Sequence, residues 1–111
     1  MEKVQVCKII NAAAGASGET TLYTESAGRV LKNIKIQLRF PSGASDELRI
    51  RFLRGNRQIS PESGYYAGDN IEYKINLSEK LLSEDSLLVK YENTNTTEAR
   101  KCYIFLEGDR E

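Results

Sequence analysis

The chain of 111 residues contains no histidine, and it has only two cysteines and two prolines. The absence of histidine excludes Ser-His and Cys-His nucleophilic pairs, histidine general bases and histidine metal ligands. The sequence also lacks a Gly-rich phosphate loop, a GxSxG turn and a run of metal ligands. The spacing of the carboxylates alone does not exclude a hydrolase that uses two catalytic carboxylates. The sequence as a whole nevertheless predicts a protein that is not an enzyme and uses no cofactor.

Long hydrophobic runs are also missing. No stretch approaches the 18 apolar residues that would indicate a membrane span. The first 18 residues carry charges at Glu2, Lys3 and Lys8, so they lack the continuous apolar region of a signal peptide. We therefore expect synthesis in the cytosol, with a mature chain whose signal has been removed as the alternative.

The net charge is zero, because 16 Lys and Arg residues balance 16 Asp and Glu residues. This balance disfavours a polyanion such as nucleic acid as the main partner. The charges are nevertheless unevenly distributed along the chain. Residues 29–57 carry eight basic and two acidic side chains, whereas residues 58–111 carry six basic and eleven acidic ones.

The dominant pattern is an alternation of apolar and polar residues, which is typical of strands with one buried face. The alternation is clearest at 34–40, 48–52 and 71–77 and weaker at 3–10, 20–24, 87–92 and 101–107. Residues that favour turns separate these segments. Residues 1–111 are therefore predicted to form one all-β domain, an antiparallel β-sandwich of seven to eight short strands, with a small barrel as the alternative. At most one short helix is expected, near 78–85.

The clearest alternations also predict the core. Seven residues are expected in the core, namely Ile36, Leu38, Ile50, Phe52, Tyr73, Ile75 and Ile104. The inclusion of Ile104 depends on the choice between the two apolar faces of the last strand. The cysteines lie in the first and last predicted strands, at Cys7 and Cys102. We expect two reduced thiols, with a disulfide between the terminal strands as the alternative.

The basic segment supplies the first candidate interaction surface. Lys35 and Arg39 fall on the polar side of one predicted strand, and Arg49 and Arg51 on that of the next. The loop 41–46 is long enough to join these two strands as a hairpin, so we expect them to pair. Like charges across such a pair are destabilising, so something should compensate them. The sequence leaves three hypotheses open. The first is contact with an acidic partner, and the second is compensation by acidic residues on neighbouring strands, for which the candidates are Glu72, Glu92 and Glu107. The third is a solvated edge strand whose arginines resist aggregation.

Two tyrosines in a glycine-flanked loop supply the second candidate. Tyr65 and Tyr66 can stack on sugar rings, and Asp69 can accept hydrogen bonds from sugar hydroxyls. The alternative is that one tyrosine packs inward and closes the end of the sandwich.

The third candidate surface is the last predicted strand, which is apolar on both sides. If its inward residues are Cys102, Ile104 and Leu106, then Tyr103 and Phe105 point outward, and Leu88 adds an apolar residue from the preceding strand. Either another subunit covers these residues or a loop such as 11–28 does. The first alternative predicts a homo-oligomer whose interface includes Leu88, Tyr103, Phe105, Arg39, Arg49 and Arg51.

The order of features after Tyr65 resembles a known family. It runs Tyr-Tyr-Ala-Gly-Asp-Asn, an alternating strand, Leu-Leu-Ser-Glu-Asp-Ser-Leu, a strand, Asn-Thr-Asn-Thr-Thr and a final strand. This order is similar to the second half of jelly-roll accessory and decoration proteins of phage and virus particles. The resemblance implies a structural protein of a larger assembly, with a capsid as partner, the virus particle as location and a trimer as the stoichiometry. The alternative function is a carbohydrate-binding module that uses the loop tyrosines and the basic residues.

Overall fold

The structure is a computed structural model that describes residues 2–111. It contains eight strands and no helix in that range, so no helix there could span a membrane. The strands are β1 (Glu2–Ala12), β2 (Ser17–Thr24), β3 (Leu31–Phe40), β4 (Leu48–Arg54), β5 (Arg57–Ser60), β6 (Ile71–Asn76), β7 (Ser86–Asn93) and β8 (Arg100–Arg110). The prediction of an all-β antiparallel protein is confirmed.

The strands form two four-stranded antiparallel sheets that pack as a sandwich. Sheet I has the order β1-β8-β3-β6, and sheet II has the order β2-β7-β4-β5. The chain changes sheet at almost every connection, and only β4 and β5 are consecutive strands in one sheet. This order, with eight strands in two sheets, is that of a jelly roll.

The core lies between the sheets and is formed by the inward phase of each strand. Six of the seven predicted core residues are buried, namely Ile36, Leu38, Ile50, Phe52, Ile75 and Ile104. Tyr73 is half-buried and packs against the core, and its hydroxyl donates a hydrogen bond to the Ala67 carbonyl at 2.7 Å. The alternation therefore identified the inward phase correctly.

Two local features differ from the simplest reading of the sequence. The hairpin strand β5 was not foreseen because it has only four residues, too few to show an alternation. The segment 78–85 forms no helix, since Leu81 is buried and exchanges two backbone hydrogen bonds of 2.9 Å with Leu31. Burial of the Leu81 side chain in the core outweighs the weak helical preference of this segment, in which Ser78 could otherwise cap a helix.

The predicted pairing of β3 with β4 is wrong. The loop between them crosses from sheet I to sheet II, where β4 lies between β7 and β5. The polar sides of β3 and β4 consequently face opposite sides of the sandwich. Alternation shows which side chains share a face of a strand, but it does not show which sheet the strand joins.

A buried amide ties together the loops at one end of the sandwich. Asn93 is 2% exposed, and its Nδ2 donates to the carbonyls of Ala12, Ala13 and Glu98 at 3.0–3.2 Å. Its Oδ1 accepts the Asn95 amide at 3.0 Å. The side chain therefore connects the turn after β1 to the loop before β8, and burial makes each of these bonds costly to lose.

Candidate functional site

The outer face of sheet I carries a group of neighbouring apolar side chains from β8 and β1. In β8, Cys102, Ile104 and Leu106 are buried in the core, whereas Tyr103 and Phe105 point outward and stay half-buried. The predicted phase of the last strand is therefore correct. These two aromatic side chains therefore lie outside the core, on the outer face of an interior strand.

Strand β1 extends this surface. Its outward residues include Cys7, opposite Phe105, and Ile9, opposite Tyr103. Ile9 is 60% exposed, more than any other large hydrophobic residue within 2–111. We call Cys7, Ile9, Tyr103 and Phe105 the outer patch. The consecutive apolar pair Ile9 and Ile10 indicates that one isoleucine faces outward, but only the register with β8 shows that this residue lies beside Tyr103.

The outer patch borders a shallow hollow of 710 Å³. All of the residues that line this hollow belong to β1, β3, β6 and β8. No other segment of residues 2–111 lines the hollow. The loop within 11–28, which was the alternative cover for the patch, is therefore absent from it. Residues 17–24 of that segment form β2 in sheet II, so the alternative of internal cover by 11–28 is wrong.

Charged residues of both signs surround the outer patch. Arg39 lies between Tyr103 of β8 and Glu72 of β6 in the sheet register. Lys35 lies opposite Glu107 in the same way. These cross-strand placements support the hypothesis that acidic neighbours compensate the basic residues of β3. Arg39, Glu72, Lys35 and Glu107 thus form a rim of mixed charge around the outer patch, whose centre is apolar.

The remaining predicted interface residues lie on the other side of the sandwich. Leu88 belongs to β7 of sheet II, where it pairs with Leu53 and Thr21. It is therefore not continuous with Tyr103 and Phe105, and the single patch predicted from all three residues is not formed. The reason is again that consecutive strands of this fold belong to different sheets.

Arg49 and Arg51 are also on sheet II and are held by local contacts. Arg49 lies opposite Glu92, with its Nη1 3.3 Å from the carboxylate Oε1. Arg51 donates through Nε to the Gly64 carbonyl at 2.9 Å. Both guanidinium groups lie near the ring of Tyr65, at 4.5 and 5.7 Å from its centroid. The basic residues of β3 and β4 therefore do not form one basic face.

The candidate sugar site is also divided. Tyr65 is 43% exposed, but Tyr66 is half-buried, packs against Phe52 and makes a 2.7 Å hydrogen bond to the Ser60 hydroxyl. Asp69 accepts hydrogen bonds from the Ser45 and Gly43 backbone amides of the loop between β3 and β4, and these bonds hold its pKa below the usual 3.8. The inward tyrosine matches the packing alternative. These three side chains do not converge on a shared ligand position.

The two cysteines occupy opposite faces of sheet I. Cys7 is exposed and Cys102 is buried, and both are free. Because Cys102 pairs with Ile10, the two thiols are also three residues apart along the ladder, too far for a disulfide. Burial raises the pKa of Cys102 to about 12. No group of three or more Cys, Asp or Glu side chains within residues 2–111 is placed to hold a metal ion.

The strand order defines the chain as a jelly roll. Comparisons with known proteins show that other solved structures share its fold. No protein-family model and no curated protein matches the sequence. A chain of the capsid structure of Helicobacter pylori bacteriophage KHP30 is similar, with 12% identity over 97% of this chain and 94% of that one and a TM-score of 0.55.

Two further solved structures have a comparable likeness. The crystal structure of FLHE shares 11% identity over 96% of both chains, with a TM-score of 0.52. A chain of the cyanophage Pam1 capsid asymmetric unit shares 8% identity over 96% of this chain and 83% of that one, with a TM-score of 0.50. At such identities the likeness establishes a common fold.

Proposed function

We propose that this chain is a non-enzymatic structural protein that associates with itself and contributes to a larger assembly, such as the surface of a virus particle. The observation that carries the proposal is the outer patch. Four side chains with substantial apolar surface form a continuous area on a sheet whose other face already packs on the core. Contiguous exposed apolar surface of this kind marks interaction sites.

The rim favours a protein partner for the patch. Interfaces combine an apolar centre with a polar edge, and Arg39 with Glu72 supplies such an edge beside Tyr103. A rim that carries both signs can meet charges of either sign elsewhere on a second copy, and a heterologous contact of this kind can close into a ring. The fold shared with phage capsid chains supports an assembly role at the level of architecture. A trimer is the stoichiometry that we propose.

The test is the mass of the protein in solution, measured by size exclusion with light scattering. The parent should form an oligomer at micromolar concentration. Phe105→Glu and Ile9→Glu should each lower that mass, because a carboxylate in the patch would have to lose its hydration on association. Leu82→Glu is the matched control, since Leu82 is 47% exposed and lies outside sheet I.

Three results would contradict the proposal. The first is a parent that is a monodisperse monomer, and the second is an unchanged mass for both patch variants. The third is a Phe105→Glu protein that unfolds, because that would place Phe105 in the core. Ile9→Glu keeps the test informative in that case, since the Ile9 side chain is largely exposed.

A further inference from the structure

The four edge strands of the sandwich differ in how well they are protected against pairing with another chain. β5 has four residues and is followed by Pro61, β2 contains a bulge between Thr21 and Tyr23, and β6 has six residues. Shortness, bulges and proline are the usual means of blocking an edge. β1 has none of them, because it is an 11-residue strand in unbroken register with β8.

One residue of β1 does oppose pairing. Lys8 lies in the inward phase, between Val6 and Ile10, and stays half-buried. Among residues 2–111 it forms no ion pair. An inward-pointing charge on an edge strand discourages a new neighbour, since pairing would desolvate the charge. A neighbouring strand that places a carboxylate opposite this lysine would reverse the effect.

We propose that β1 pairs antiparallel with β1 of a second copy, about a twofold axis at Gln5, so that two four-stranded sheets join into one of eight strands. In this register Glu2 of each copy lies opposite Lys8 of the other, and Val4 lies opposite Val6. Opposite charges at such positions stabilise a strand pair. The Glu2 carboxylate lies 2.9 Å from Arg29 and 3.7 Å from Arg110, but its side chain is 56% exposed, so Lys8 of the second copy can approach it as a third cation.

Neighbouring registers lack this complementarity. Pairing centred on Cys7 would place Lys8 opposite Val6 and diagonal to the second Lys8, which brings like charges together. Pairing centred on Val6 would place Lys8 opposite Val4. Shifting by an odd number of residues would join the core face of one copy to the outer face of the other. Charge therefore selects the register centred on Gln5.

This contact uses the edge of sheet I and goes beyond the proposed function, which uses the outer face. The two can be separated in the Phe105→Glu background, where the outer patch is disabled. Failure of the proposed function would appear as an unchanged mass on introducing Phe105→Glu. Failure of the edge contact would appear in the cross-linking and charge-exchange experiments that follow.

Disulfide mapping tests the register. In a Phe105→Glu protein that also carries Cys7→Ala and Gln5→Cys, the two new thiols meet at the twofold axis, and mild oxidation should give a covalent dimer. Cysteines directly opposite in a strand pair have the Cα separation that a disulfide needs. With Gln5 unchanged, the two Cys7 residues are displaced by four positions and should not cross-link. A dimer through Cys7 with none through Gln5→Cys would overturn the register, and no dimer in either protein would overturn the pairing.

Exchanging the charges of Glu2 and Lys8 tests whether this pair holds the two β1 strands together. Lys8→Glu and Glu2→Lys, each alone, should raise the dissociation constant of the dimer at least about tenfold, because two cross-strand pairs change from attraction to repulsion. The double variant should restore it to within a few fold of the parent value. Sedimentation velocity in the Phe105→Glu background measures these constants, and circular dichroism checks the fold. Unchanged single variants, or a double variant as weak as the singles, would overturn the proposal.

Discussion

Replacing Phe52 by alanine should cause a large loss of stability without affecting the outer patch. Phe52 lies in β4, is fully buried and is one of the two largest such side chains. Its ring packs against Tyr66, with the centroids 6.2 Å apart. Deleting it removes apolar burial from the centre of the sandwich and leaves a cavity between the sheets.

The expected loss in the free energy of unfolding is about 3–5 kcal/mol, as for other buried phenylalanines. Total stabilities of small domains are about 5–15 kcal/mol, so the variant would be close to its limit. With a urea m-value of about 2 kcal/mol/M, the unfolding midpoint should fall by about 1.5–2.5 M. Phe52→Leu should lose less, because it keeps more of the side-chain volume.

Urea denaturation followed by circular dichroism provides the measurement. Leu82→Ala is the control, since Leu82 is 47% exposed and its truncation should change stability by less than about 1 kcal/mol. A loss below about 1 kcal/mol for Phe52→Ala would show that Phe52 does not lie between the sheets. The assignment of β4 would then be wrong in phase or in position.

Three further predictions follow from polar and sulfur groups. Asn93→Ala should lower stability by about 1–3 kcal/mol in urea denaturation, because it leaves buried backbone groups unpaired; an unchanged midpoint would refute the role of the amide. A hydrogen bond from the Ser45 amide lowers the pKa of Asp69, and one from the Leu82 amide lowers the pKa of Asp85. Both carboxyl groups therefore bind protons more readily in the unfolded chain than in the folded one. Stability should therefore be full above about pH 5 and fall as the pH drops below about 4, and Asp69→Asn should flatten that fall; a thermal midpoint that does not change between pH 5 and 3 would contradict this. A thiol reagent at pH 8 should label Cys7 in the native protein and Cys102 only after unfolding, because burial raises the pKa of Cys102 to about 12; two labelled thiols in the native state would contradict it.

Local pattern was sufficient for seven of the eight strands, all but β5, and for most of the core. Ile36, Leu38 and Phe52 follow from alternation alone, since side chains of a strand point to its two faces in turn. Sheet membership did not follow, because it depends on contacts between segments distant in sequence. The assumed neighbourhood of Arg39 with Arg49 was therefore wrong, although each strand was assigned correctly.

The same division applies to the candidate site. The outward positions of Tyr103 and Phe105 could be predicted, because the other phase of β8 holds the residues most suited to the core. The contribution of Cys7 and Ile9 could not, since it requires the register between the first strand and the last. Tertiary burial of Leu81 likewise overrode the local preference of 78–85 for a helix.

The order of strands in sheet I has a consequence for the synthesis of the protein. β1 is paired only with β8, which follows every other strand in the described chain. During synthesis, β1 therefore has no hydrogen-bonded neighbour in its sheet until β8 has emerged from the ribosome. Since such distant pairing is slow to form, most of sheet I should assemble after translation of β8. A chain that is truncated before β8 would leave a strand of 11 residues open to aggregation.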